Sequence, residues 1–190
     1  MFSDVLAALE RSQQLQGILL VSGESSLQDL AFSGRTTLIP DITEKGQSPA
    51  ATVGLTRAGE LGCDRALLVP GDCPLIDVRE IDELITGFEE FDLVIVPDRH
   101  QFGTNALLMN TRLSFEPRFG PDSLALHIRQ AIEKGLRYSV EPVASLALDV
   151  DTGSDLKELV AMLERVPDRA VHTQALLRQI ERTQPVFAQA

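Results

Sequence analysis

The stretch ALLVPGDCPLID, Ala66 to Asp77, bears on both the fold and the chemistry of this chain. Ala66, Leu67, Leu68 and Val69 form a short apolar run without alternation, the pattern of a strand buried on both faces. Pro70 and Gly71 break the run, and Asp72 and Asp77 stand just beyond the break. A carboxylate at the carboxyl end of a buried strand has two readings. It caps the helix that follows, or it holds a cation together with the oxygens of a substrate.

The same punctuation recurs on either side. GILLV (17–21) and DLVIVPD (92–98) are buried-strand runs, TTLIPD (36–41) is a shorter one, and TNALLMN (104–110) is a strand with turn-forming ends. Between them lie stretches of helical spacing. MFSDVLAALERSQQ places Phe2, Val5, Leu6 and Leu9 on one stripe, and residues 49–61 and 74–88 read as two more helices. PDSLALHIRQAIEKG has Asp122 or Ser123 as cap, Leu124, Ile128, Ala131 and Ile132 as core stripe, and Gly135 as stop. YSVEPV and LALDVD read as further strands, SDLKELVAMLERV as a helix capped by Ser154 or Asp155, and HTQALLRQIERT as a C-terminal helix.

Buried strands alternating with helices predict an α/β fold of three layers, a mostly parallel sheet covered on both faces. One domain spanning 1–190 is expected, with 167–190 as a helical tail. Because the pattern opens on a helix, the strand from which that helix would cross over is unaccounted for. An unpaired strand edge is therefore expected beside GILLV or ALLVP.

The formal net charge of −11 argues against nucleic acid or an anionic membrane as partner, since both need clustered Lys and Arg. An anionic small substrate would need local Arg or Lys, helix N-termini or a divalent metal. The two cysteines, Cys63 and Cys73, have neither metal-ligand nor redox spacing. MFSDVLAALERS has no basic leader region and no apolar run approaches a membrane span, so a cytoplasmic location is expected. A homodimer is left open.

Ligands of open α/β sheets collect beyond the carboxyl ends of the strands, and three segments there carry unusual residues. Asp72 is placed to hold Mg²⁺, or to cap the next helix. In LALDVDTGSDL, Asp149 and Asp151 alternate with apolar residues, so both carboxylates share a face and repel unless a cation lies between them; an exposed turn is the alternative. In FGTNALL and PRFGPDS, Gly103 and Gly120 allow close backbone approach, Thr104 and Ser123 offer hydroxyls, and Ser123 starts a helix whose N–H groups attract anions. This is either a phosphate or carboxylate cradle or a Gly-Pro turn into a capped helix. Arg118 is placed to complement an anion or to lie on the surface, and His127 reads as a half-buried, satisfied histidine.

Taken in order, LLVPGDCPLID, GTNALL, RFGPDS and LALDVDTGSDL resemble the 2-phospho-L-lactate guanylyltransferase family, whose actinobacterial members use phosphoenolpyruvate. The resemblance runs from about Met1 to Leu163. It implies a Rossmann-like nucleotidyltransferase fold and the transfer of GMP from GTP to a phosphorylated three-carbon acid, with release of diphosphate, in the making of the deazaflavin coenzyme F-420. It implies Asp72 as catalytic metal ligand for Mg²⁺, with Asp149 or Asp151 as partner, and Thr104, Gly120 and Ser123 as the phosphoenolpyruvate site. The strand and basic loop with which members of that family open have no counterpart before MFSDVLAAL, and GQSPAA (46–51) replaces a GLN turn near the base. The alternatives are a nucleotidyltransferase for another phosphorylated acid or sugar, and an inactive homologue without its first strand.

Overall fold

The computed structural model describes residues 1–24, 26–27, 34–42 and 44–183. Its elements follow in the order α1 (Phe2–Leu9), β1 (Ile18–Ser22), β2 (Thr36–Pro40), α2 (Gln47–Glu60), β3 (Arg65–Leu68), α3 (Val78–Gly87), β4 (Leu93–Pro97), β5 (Thr104–Asn110), α4 (Ser123–Glu133), β6 (Tyr138–Val140), α5 (Gly153–Leu163) and α6 (Val171–Thr183). The final residues of the expected tail, 184–190, lie outside the described residues; α6 accounts for the part before them.

Strands β3, β5, β4 and β6 are neighbours in that order. β4 and β6 run parallel, whereas β5 is antiparallel to both β3 and β4. Three of the four strands thus point the same way, as expected of a mostly parallel sheet, and β5 is inserted against them. β4 is buried on both faces, as its non-alternating sequence requires. Its side chains divide by the period of two. Val94 and Val96 join Ala106 and Leu108 in a cluster with Val5, Ala8, Ile81 and Leu84 of α1 and α3. Leu93 and Ile95 join Leu107 and Met109 in a second cluster with Leu55 of α2 and Ala131 of α4. These are the three layers. A third cluster, Leu75, Leu148, Leu159, Leu163 and Ala170, seats α5.

β1 and β2 form a separate parallel pair. Among the described residues β1 has no partner but β2 and β3 none but β5, so an open edge flanks both GILLV and ALLVP. Both strands are apolar yet only half-buried along their length, in contrast to β4.

Several local expectations are corrected. Residues 73–77 are a buried turn, and α3 starts only at Val78 because the Asp77 carboxylate accepts from Arg79 N–H at its N-terminus. LALDVD is not a strand: a 3-10 turn over Ala144–Leu146 leads into irregular backbone, and the segment pairs with no strand. α5 is capped by Thr152, which forms a capping box with Asp155, and not by Ser154 or Asp155. On α4, Ile132 faces solvent and His127 takes the buried face.

Candidate active site

Asp72 follows β3 at its carboxyl end, and Asp98 and Arg99 follow β4 at its own. Because β5 is antiparallel, it reaches the same rim with its beginning: Thr104 stands opposite Pro97. The reversed strand therefore brings Thr104 and Asn105 to the crevice where parallel strands bring their ends.

The two carboxylates of the opening stretch have different roles. Asp77 is structural. It caps α3, pairs with Arg79 at 3.0 Å and also with Arg169, and its hydrogen bonds to Arg79 hold its acidity below the usual carboxylate pKa. Asp72 is half-buried, and among the described residues its Oδ1 is buried with no hydrogen-bond partner. Burial raises its pKa, and the nearby charges of Asp151 and Asp149 push in the same direction.

The loop carrying those two residues lies against Asp72. Val150 N–H donates to the Asp72 carbonyl at 3.2 Å. Asn105 Nδ2 donates to the carbonyls of Leu146 at 2.7 Å and Ala147 at 3.4 Å and reaches Asp149 Oδ1 at 3.4 Å. Below the loop, Asp155 receives Asp151 N–H at 3.2 Å, Thr152 N–H at 2.7 Å and the Thr152 hydroxyl at 2.8 Å. Arg99 reaches across from the end of β4 to pair with Asp155 and Glu158. The three carboxylates share a neighbourhood, but among the described residues no group of three His, Cys, Asp or Glu side chains is already gathered as a metal cluster.

On the other side of Thr104 lies a buried polar network. Thr104 N–H donates to Ser123 Oγ at 2.8 Å, and Thr104 Oγ1 lies 2.9 Å from His127 Nδ1. Arg118 N–H donates to His127 Nε2 at 2.8 Å. That last bond makes Nε2 an acceptor, so the neutral ring carries its proton on Nδ1 and donates it to Thr104. Burial, and after it the charge of Arg118, lowers the His127 pKa to about 4, which keeps the ring neutral near pH 7. Phe115 and Phe119 flank the imidazole. Both hydroxyls thus already accept a hydrogen bond, and neither donates to a protein group among the described residues. A ligand group accepting from them is an acceptor: a carboxylate or a phosphate oxygen.

The residues expected to form a cradle around 103–123 serve different ends. Thr104 and Ser123 are brought together. Gly103 serves the fold, since a Cβ there would stand 2.8 Å from Asp98 Oδ2. Gly120 is required by its φ of +116° rather than by crowding. The first N–H groups of α4 are largely engaged: Ser123 N–H donates to the Gly120 carbonyl and Leu124 N–H to that of Phe102. Asp122 stands at the N-cap position without a side-chain cap bond. The Arg118 guanidinium points to Glu116 and is mostly exposed, so only its backbone serves the network.

Three residues of this arrangement escape sequence reasoning: Asn105, Arg99 and, as a tie for the glycine loop, Ser48, whose Oγ accepts from Phe119 N–H at 2.8 Å. Asn105 has a visible signal, a polar side chain inside an apolar strand run. Arg99 and Ser48 have none, because their partners are far away in sequence.

The chain matches the family model described as "Guanylyl transferase CofC like" over residues 1–183. It is 37% identical over 187 residues to a phosphoenolpyruvate guanylyltransferase of Conexibacter woesei, covering 97% of this chain and 84% of the relative. A 2-phospho-L-lactate guanylyltransferase of Methanothermobacter thermautotrophicus is 29% identical, covering 96% and 78%. A 3-phospho-D-glycerate guanylyltransferase of Phenylobacterium zucineum is 30% identical, covering 84% and 74%. Among solved structures, a putative nucleotide-diphospho-sugar transferase from Desulfovibrio desulfuricans superposes with a TM-score of 0.72 at 20% identity, covering 95% of this chain and 80% of that one. The last likeness supports the nucleotidyltransferase fold. The match over nearly the whole chain, together with the identities above, places the protein in the CofC-like guanylyl transferase family.

Proposed function

We propose that the protein transfers GMP from GTP to a phosphorylated three-carbon acid, phosphoenolpyruvate first among them, and releases diphosphate as a step in coenzyme F-420 synthesis. The observation that carries this reading is the pairing at one sheet rim of a donor-only hydroxyl, Thr104, backed by the fully buried Ser123, with the carboxylate of Asp72, whose Oδ1 has no partner among the described residues. The first suits the carboxylate or phosphate of the acid. The second suits a cation beside a triphosphate. The names of the relatives support the three-carbon acid class, with 3-phospho-D-glycerate as the second acceptor to be tested.

In this reaction an oxygen of the acceptor's phosphate attacks the α-phosphorus, and the bond to the β-phosphate oxygen breaks. The second pKa of a phosphate monoester is near 6, so the attacking oxygen is already unprotonated near pH 7 and the site needs no general base. Neither Cys73 nor His127 offers one: burial raises the Cys73 thiol pKa, and both His127 nitrogens are engaged. What the chain contributes is position and charge. Thr104 holds the acid by donation, the fully buried Ser123 holds the Thr104 backbone from behind, and Asn105 with the Asp155 cap holds the loop of Asp149 and Asp151.

The unpartnered Asp72 Oδ1 and the mutual repulsion of three carboxylates fit a divalent cation such as Mg²⁺, held by Asp72 with Asp149 or Asp151. When bound, such an ion neutralises the triphosphate and the departing diphosphate.

The test is diphosphate release from GTP with each of the three acids, in wild type and in Asp72→Asn. Turnover is expected with at least one acid, and its loss, by at least about a hundredfold, in a variant that keeps the wild-type circular dichroism. Turnover only with a sugar phosphate, or normal turnover in Asp72→Asn, overturns the reading.

A further inference from the structure

We propose that His127 is a positioning residue of the acceptor subsite: its Nδ1–H occupies the accepting side of Thr104 Oγ1 and so commits the Thr104 hydroxyl proton to the bound acid. The inference rests on the acceptor reading of Thr104 given above and extends it to a residue that is fully buried behind it.

A free threonine hydroxyl is ambivalent, since it donates or accepts according to its neighbour. At this site the ambivalence is removed from behind. Arg118 N–H points at Nε2, so the tautomer is set by a backbone group and not by the ligand. The ring plane is set by Phe115, with centroids 5.6 Å apart, and by Phe119, edge-on at 5.7 Å. Its Nδ1–H then meets Thr104 Oγ1 at 2.9 Å. The Thr104 backbone is held as well, its N–H donating to Ser123 Oγ one turn before His127 on α4. The proton of the Thr104 hydroxyl has no protein acceptor among the described residues. A site built this way favours an anionic oxygen and rejects a donor, such as a neutral hydroxyl offering its proton.

Two substitutions separate the ring's two nitrogens. In His127→Gln the amide oxygen replaces Nε2 and accepts from Arg118 N–H, but nothing donates to Thr104. In His127→Asn the amide nitrogen replaces Nδ1 and donates to Thr104, while the Arg118 contact is lost. Steady-state kinetics with GTP and phosphoenolpyruvate, measured on both variants and in a Thr104→Val background, read the role directly.

His127→Gln is expected to raise the KM for the acid by about tenfold, the order of effect of one misdirected hydrogen bond to a charged group, with the GTP KM unchanged. His127→Asn is expected to recover most of that loss, and His127→Gln to add nothing once Thr104 is Val. Equal acid KM values for the Gln variant and wild type, an equal rise in the GTP KM, or a further loss in the Thr104→Val background overturns the inference. If Thr104→Val alone leaves the acid KM unchanged, it is the acceptor reading of Thr104 that fails, and the inference falls with it. Imidazole ¹⁵N shifts of the intact wild-type protein give a check that needs no variant: a ring protonated on Nδ1 is expected, and one protonated on Nε2 overturns the assignment.

Discussion

His127 shows how one buried side chain ties stability to pH. Its folded pKa of about 4 lies below the ordinary value of 6.5 because charging the ring would bury an ion beside Arg118. The sign follows from proton counts. Between pH 6.5 and 4 the unfolded chain binds a proton at this residue and the folded chain does not, so stability is intact above pH 6.5, falls as pH falls through that window, and levels off below about 4. The full effect is on the order of 3 kcal/mol. Urea unfolding of wild type and His127→Asn between pH 7 and 4.5 is expected to show a shallower loss in the variant; parallel curves would falsify the assignment of that slope to His127. Asp72 is the counterpart at the same scale, a buried carboxylate oxygen with no partner among the described residues, where Asp77 five residues on has several.

At the scale of elements, two carboxylates act as hidden caps. Asp4 of α1 receives His172 N–H at 2.8 Å, Thr173 N–H at 2.9 Å and the Thr173 hydroxyl at 2.7 Å, and so caps α6 from another helix. Asp4→Ala leaves those donors unmet at a cost of about 1–2 kcal/mol, and we expect a lower urea midpoint and faster proteolysis within α6. An unchanged midpoint would show that α6 is held by its apolar face alone. Asp155 is the second cap. It gathers the backbone of Asp151 and Thr152 and is itself gripped by Arg99. If the loop of Asp149 and Asp151 serves a cation, Arg99→Gln should raise the half-saturating Mg²⁺ concentration for turnover about tenfold, as loss of an outer support does, while the KM for the acid stays near wild type. An unaltered Mg²⁺ dependence would make Arg99 a support of α5 only.

Across the whole molecule, the described strands divide into a two-stranded and a four-stranded sheet. β4 and β5 sit inside the larger sheet and are almost wholly buried, whereas β1 and β3 each leave one edge open and stay half-exposed along their length. Unpaired edges open locally at lower free energy than central strands. Amide hydrogen exchange of the 190-residue chain is therefore expected to be markedly faster in Ile18–Ser22 and Arg65–Leu68 than in Leu93–Pro97 and Thr104–Asn110. Uniform protection across all four would show that the open edges are covered in solution, a second copy of the chain being one way to cover them.

What the sequence determined by itself was local or periodic. Unbroken apolar runs located GILLV, ALLV and LVIVP as strands, although only LVIVP is buried along its whole length, helical spacing placed α2, α4 and α6 to within two residues and α1 with an end several residues too late, and the Gly120 and Gly135 punctuation marked the turns around α4. The family resemblance set Asp72 with Asp149 or Asp151 as a metal pair and Thr104, Gly120 and Ser123 as an acid site, both as expectations. Tertiary structure decided the rest, because it depends on partners distant in the chain. The reversal of β5 brings Thr104 to the rim by the strand's beginning, which an apolar run cannot reveal, since it reads the same in either direction. The split of roles between Asp72 and Asp77 depends on Arg169, which lies far along the chain. The tautomer of His127, and with it the donor-only character of Thr104, is set by one backbone N–H of Arg118 whose position no spacing encodes.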